Sequence, residues 1–146
     1  MKSVLRAFRA DKDCKIAILQ YQRAEFRVGT EEHLHWSILL LFDGKVSLVR
    51  TRKCLGGVYI GTVKESQIAS MREVVSNNSP KAKSAEWNCR DWVMEIIQLF
   101  AEKGWVRASI PDQATLLPSL RLASVATMAA YAQGTGAVPL VVELSG

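Results

Sequence analysis

Histidine is nearly absent from this chain: His33 and His35 are the only two in 146 residues. Cysteine is scarce and odd in number; Cys14, Cys54 and Cys89 leave one over in any pairing, which excludes a disulfide framework and points to a reducing, cytoplasmic setting. None of the paired Cys/His spacings that hold zinc is present, so no metal site is expected. The nine glycines form no phosphate-cradling loop, and no nucleotide or other cofactor is expected. Charges at Lys2, Arg6 and Arg9 break up any apolar stretch of the kind a secretory leader needs. There is no internal repeat and no low-complexity segment. Long hydrophobic runs are also lacking. The most apolar stretch, 114–132, is interrupted by Pro118 and Arg121 and falls short of a bilayer span. A buried C-terminal helix is the expectation there, with a membrane-associated helix as the alternative.

What is present suits one domain over residues 1–146. Hydrophobic residues make up 49% and charged residues 23%, enough apolar surface for a core and too little charge for a disordered chain. The net charge is +5. The excess is densest in the N-terminal half, at Lys2, Arg6, Arg9, Lys12, Lys15, Arg23 and Arg27, then at Lys45, Arg50, Arg52 and Lys53. Such a surface favours anionic partners in a general way. It lacks the arginine-rich, aromatic-interleaved pattern of a specific nucleic-acid reader.

Residues 14–22 read as a strand. The run "HWSILLLF" at 35–42 reads as a second strand, continuous enough in apolar residues to lie in the middle of a sheet. Asp43-Gly44 is a hairpin signal that returns 45–51 antiparallel to it. Gly56-Gly57 bends the chain before a short strand at 58–63. Ser66 is placed to cap a helix over 67–76, a turn-rich loop covers 76–86, and a second helix runs from 88 to about 103 before Gly104. Pro111-Asp112 opens a last helix ending near Gly134, and 138–144 is a final strand whose Pro139 suits a sheet edge. The fold class is α+β: a mostly antiparallel sheet packed against helices.

The helix at 88–103 carries the chemistry. Cys89, Trp92, Val93, Ile96, Ile97 and Phe100 share one face at helical spacing. Asn88 is a good N-cap, and Asp91 stands three residues later, where a capping box reaches back. Cys89 is then the first helical residue, beside the positive end of the helix dipole and the unpaired first-turn amides. Both favour the thiolate, and the amides could hold a developing oxyanion. A cysteine on an apolar stripe is more often simple packing; what distinguishes the two is a base. His35, at the mouth of the second strand, is the candidate, with His33 as its loop neighbour. Cys54, beside Gly56-Gly57, has a loop-like setting without a cap, and Cys14 starts a strand as a packing residue.

The arrangement "HLHWSILLLFDGKVSLVR" followed by "WNCRDWV" resembles the circularly permuted papain-like fold of the lecithin:retinol acyltransferase-like, NlpC-like and related small thiol hydrolases. There a histidine starts a strand and an Asn-Cys pair starts a later helix. The resemblance covers about residues 14–105 and leaves 106–146, a helix and a strand, without a counterpart. It implies a Cys–His dyad of Cys89 and His35 acting on a peptide, amide or lipid ester through a thioester. The acyltransferase-like members also carry a second histidine on the next strand, and this chain has none after His35. With a two-residue Asp43-Gly44 turn, Arg52 stands opposite His35; a register one residue away brings Ser47 and Thr51 to its face instead. Ser47, Thr51, a backbone carbonyl or water are the candidates for the third member. Gln20, Gln22 and Asn88 are candidates for the oxyanion donor.

Three readings remain at this point. One is a cysteine hydrolase or acyl transferase. Another is a catalytically degenerate module that binds partners through some of Trp36, Trp87, Trp92 and Trp105. The last is a basic-surface binder of anionic partners with no thiol chemistry.

Overall fold

The computed structural model describes residues 11–21, 35–41, 54–81, 87–107, 109–134 and 139–144. Four strands, β1 (Asp13–Tyr21), β2 (His35–Leu41), β3 (Cys54–Lys64) and β4 (Val141–Glu143), form one mixed sheet in the order β2-β1-β3-β4. Three α-helices accompany it: α1 (Ile68–Asn77), α2 (Cys89–Glu102) and α3 (Leu117–Ala132). β1 runs antiparallel to both β2 and β3, and only the short β4 lies parallel to its neighbour. The chain is thus α+β, with an antiparallel body and one parallel strand at the edge.

Strand alternation divides the sheet's side chains between two environments. Ile16, Ile18, Trp36, Val58 and Ile60 join the main core with Val93, Ile96 and Phe100 of α2 and Leu116 and Leu120 from the C-terminal helical region. Ala17, Leu19 and Cys54 form a smaller cluster with Tyr21, Tyr59 and Val141. β2 sits at one end of the described sheet. The segment 45–51, expected to hairpin onto it, lies outside the described residues.

Four local expectations are corrected. Gly56-Gly57 does not separate two pieces; β3 runs through the pair as one strand of 11 residues. Gly56 adopts φ +81°, a conformation that residues with a Cβ rarely take, and the pairing register with β1 shifts between Leu19 and Tyr21, beside it. Cys54 therefore begins a strand and is fully buried, in place of the expected loop-like setting. Ser66 makes no cap: a 3₁₀ turn, Glu65–Gln67, precedes α1, and the Ser66 backbone and hydroxyl both donate to Asp11. The last helix opens in two steps. Asp112 caps a 3₁₀ turn at Gln113–Thr115 by accepting from Thr115 N at 3.0 Å, and α3 starts only at Leu117, with Pro118 in its first turn.

The buried face of α3 is built from Ser119, Leu120, Ala123, Ser124 and Thr127. These are mostly small residues because the helix lies close to β3 at Gly56, where a Cβ would stand 2.7 Å from Thr127 Oγ1 and 3.2 Å from Ala123 Cβ. Thr127 Oγ1 also accepts from Leu140 N at 3.0 Å, and Leu140 O accepts from Gly57 N at 3.0 Å, so the approach to β4 is stitched to both elements. The larger residues Leu122, Val125 and Met128 face outward and are exposed. Among the described residues no helix is long and apolar enough to cross a membrane.

Burial raises the Cys54 thiol above its ordinary 9.0 and the Tyr21 phenol above its ordinary 10.0. The folded state therefore keeps protons that the unfolded chain releases, so stability is retained below pH 9.0 and declines as pH climbs past it. Urea midpoints measured at rising pH should show this alkaline limb. In Cys54→Ala its onset should move up toward the tyrosine range.

Candidate active site

The first turn of α2 is held by Asn88 acting in several ways. Its side-chain Oδ1 accepts from Arg90 N at 2.9 Å, and its own N–H donates to Asp91 Oδ2 at 2.9 Å, completing a capping box. Its backbone carbonyl accepts from the amides of Asp91, at 3.1 Å, and Trp92, at 3.2 Å. The amides of residues 90–92 are consequently engaged by Asn88 and are not open to an oxyanion, contrary to the expectation from helix position alone. The other carboxylate oxygen, Asp91 Oδ1, accepts from Gln113 Nε2 at 3.0 Å. This bond ties the start of α2 to the turn before α3.

The cap fixes Cys89 at the head of α2, and α2 packs along β2. The consequence is the central feature of the site: Cys89 Sγ lies 3.1 Å from His35 Nδ1. Both residues are partly buried. On the neighbouring strand, Tyr21 is the register partner of His35 and Gln20 that of Trp36. The Tyr21 hydroxyl shares hydrogen bonds with Ser37 and Cys54, and burial is the main reason its acidity is suppressed.

A groove of about 600 Å³ runs away from the thiol and imidazole between β2, α1 and α2. Trp36, Ile38 and Leu40 come from β2, Met71 and Val75 from α1, and Trp92 and Phe100 from α2. Trp92 is half-buried, and its indole N–H donates to Asn78 O at 2.6 Å, fastening the end of α1 beside the first turn of α2. Of the α2 stripe read from the sequence, Val93, Ile96, Ile97 and Phe100 are buried, whereas Cys89 and Trp92 stay partly open and line the groove.

The remaining sequence candidates divide as follows. Gln20 is fully buried and gives its amide hydrogens to Leu55 O at 3.0 Å and Leu120 O at 2.7 Å, so it is a structural tie between sheet and helix and not an oxyanion donor. Gln22, Ser47, Thr51 and His33 lie outside the described residues. All three cysteines are thiols, with Cys14 and Cys54 buried. Among the described residues no group of three or more His, Cys, Asp or Glu side chains is placed to hold a metal. Trp36 and Trp105 are core residues rather than surface anchors. Gln113, Ser37 and Arg72, which reach the helix cap or line the groove, were not singled out from the sequence. Ser37 alone carried a signal, standing two residues after His35 on an extended strand.

No family model, curated protein or solved structure matches the chain.

Proposed function

We propose that the chain is a cysteine-dependent hydrolase or acyl transferase of the permuted papain-like kind, with Cys89 as nucleophile and His35 as general base. The observation that carries the reading is the 3.1 Å contact between Cys89 Sγ and His35 Nδ1 at the end of an apolar groove. A thiol and an imidazole within hydrogen-bond reach, one on a capped helix and one on a strand, form the activated pair that acyl chemistry uses. The order of the elements supports the papain-like comparison: a histidine at a strand start, then an Asn-Cys pair at a helix start.

His35 Nδ1 takes the Cys89 proton, and the sulfur attacks the substrate carbonyl carbon. The tetrahedral oxyanion then collapses. The bond to the leaving amine or alcohol breaks, that group receives the proton from His35, and a thioester remains on Cys89. Water or another acceptor attacks the thioester while His35 accepts its proton, and the thiol is released with the proton returned. Asn88 is the candidate oxyanion donor, because its Oδ1 is committed to Arg90 N while its Nδ2 hydrogens have no partner among the described residues.

Incubation with a panel of activated acyl esters should leave an acyl adduct on Cys89, visible in the intact mass and absent from Cys89→Ala. A panel that acylates no wild-type protein at Cys89 would overturn the reading. Asn88→Ser separates the two roles of Asn88: serine keeps an N-cap oxygen and loses the amide donor. Turnover should fall roughly 10²-fold with little change in melting temperature. Asn88→Ala should also cost about 1 kcal/mol of stability.

A further inference from the structure

The groove has a direction. Its thiol end is marked by Cys89 and His35, and its far end by Phe100 and Leu40. Eleven residues along α2 and five along β2 each span roughly 16 Å, so helix and strand form two matched rails. α1 runs the other way, because its C-terminal end is fastened by Asn78 O to Trp92, near the thiol. Arg72 lies six residues before Asn78, about 9 Å farther from that fastening, and it lines the groove.

Arg72 is exposed and makes no hydrogen bond or ion pair among the described residues. Among the described residues no carboxylate lines the groove with it; apart from His35, that lining is apolar or uncharged. On the floor, Trp36 is 1% exposed and its indole N–H has no acceptor. Buried donors of that kind are normally paired. The groove therefore presents apolar surface and, at Arg72, a cation without a partner among the described residues.

We infer that the groove selects an acyl compound with an extended apolar body and a carboxylate or phosphate group held by Arg72, the reacting carbonyl lying at Cys89. A guanidinium fork matches either anion in a two-point contact, while the apolar walls take the body of the ligand. A cationic or purely neutral amphiphile meets no complementary group. The assignment of the carbonyl end rests on the catalytic reading of Cys89 and His35; the anion end stands on binding alone.

The test uses Cys89→Ala protein, which binds without turnover, with tryptophan fluorescence or calorimetry as readout. The probes are decanoate, decyl phosphate, decanol and decylammonium, all kept below their micelle concentrations. Decanoate or decyl phosphate should bind at least tenfold more tightly than decanol and decylammonium, and their ranking tells carboxylate from phosphate. Adding Arg72→Gln should erase the preference, and Arg72→Lys should retain part of it. Equal binding of decanol and both anions, or an anion preference that survives Arg72→Gln, would overturn the inference. Acyl-adduct formation on wild-type Cys89 is read separately, so failure of the chemistry and failure of anion selection are distinguishable.

Discussion

His35→Ala should lower turnover of an acyl substrate by about 10²–10⁴-fold, the range lost with a positioned general base. Alkylation of Cys89 by iodoacetamide at pH 7 should slow at least tenfold in the same variant. The readout is clean because Cys14 and Cys54 are 1% and 0% exposed, so the modified thiol in the native protein is Cys89. His35→Ala shortens a partly buried side chain at the first position of β2, and thermal melting should therefore change little. If alkylation and turnover are the same in wild type and His35→Ala, the 3.1 Å contact is packing and the enzyme reading fails.

The largest stability effect is expected at Gly61. A Cβ at this position would overlap the carbonyl oxygen of Trp105 and come within 2.9 Å of Trp105 C and Val106 Cα. The approach is this close because β3 and the 105–107 segment exchange hydrogen bonds: Thr62 N to Trp105 O at 3.0 Å and Arg107 N to Ile60 O at 2.9 Å. The neighbouring Trp105 ring meets Phe100 edge to face at 5.5 Å between centroids. Gly61→Val would have to push a backbone segment away, losing those bonds and loosening Trp105 against the fully buried Phe100. We expect a loss of about 4 kcal/mol, among the larger single-residue effects. Urea unfolding checks it: the midpoint should fall with the m-value unchanged. A midpoint within experimental error of wild type would show that the segment moves aside at no cost.

The parts of the fold that follow from local pattern were legible in the sequence. The α2 stripe, its Asn88 cap and its Asp91 box are written within a few consecutive residues. The apolar run of β2 is equally local, and His35 at its mouth was the natural neighbour to look for once Cys89 was placed. What escaped depends on contacts distant along the chain. Gly56-Gly57 looks like a bend, yet β1 and the α3–β4 region hold it inside a strand. Ser66 has the composition of a cap but is drawn to Asp11, 55 residues away. One miss is local: the first-turn amides looked open, although the Asn88 cap engages residues 90–92 within four positions. Arg72 on the exposed face of α1 reads as a solvated charge, and only the packing of α1 against α2 brings it to the groove. The Gln113–Asp91 tie joins residues 22 positions apart and has no sequence signature at all.

Cys89 and His35 are separated by 54 positions, and each belongs to a different kind of element. Neither β2 nor α2 alone can create the pair; it forms only when strand and helix dock. Under the proposed chemistry, emergence of a fast-reacting Cys89 during refolding is a clock for that docking, and a fragment ending before the helix lacks Cys89 altogether.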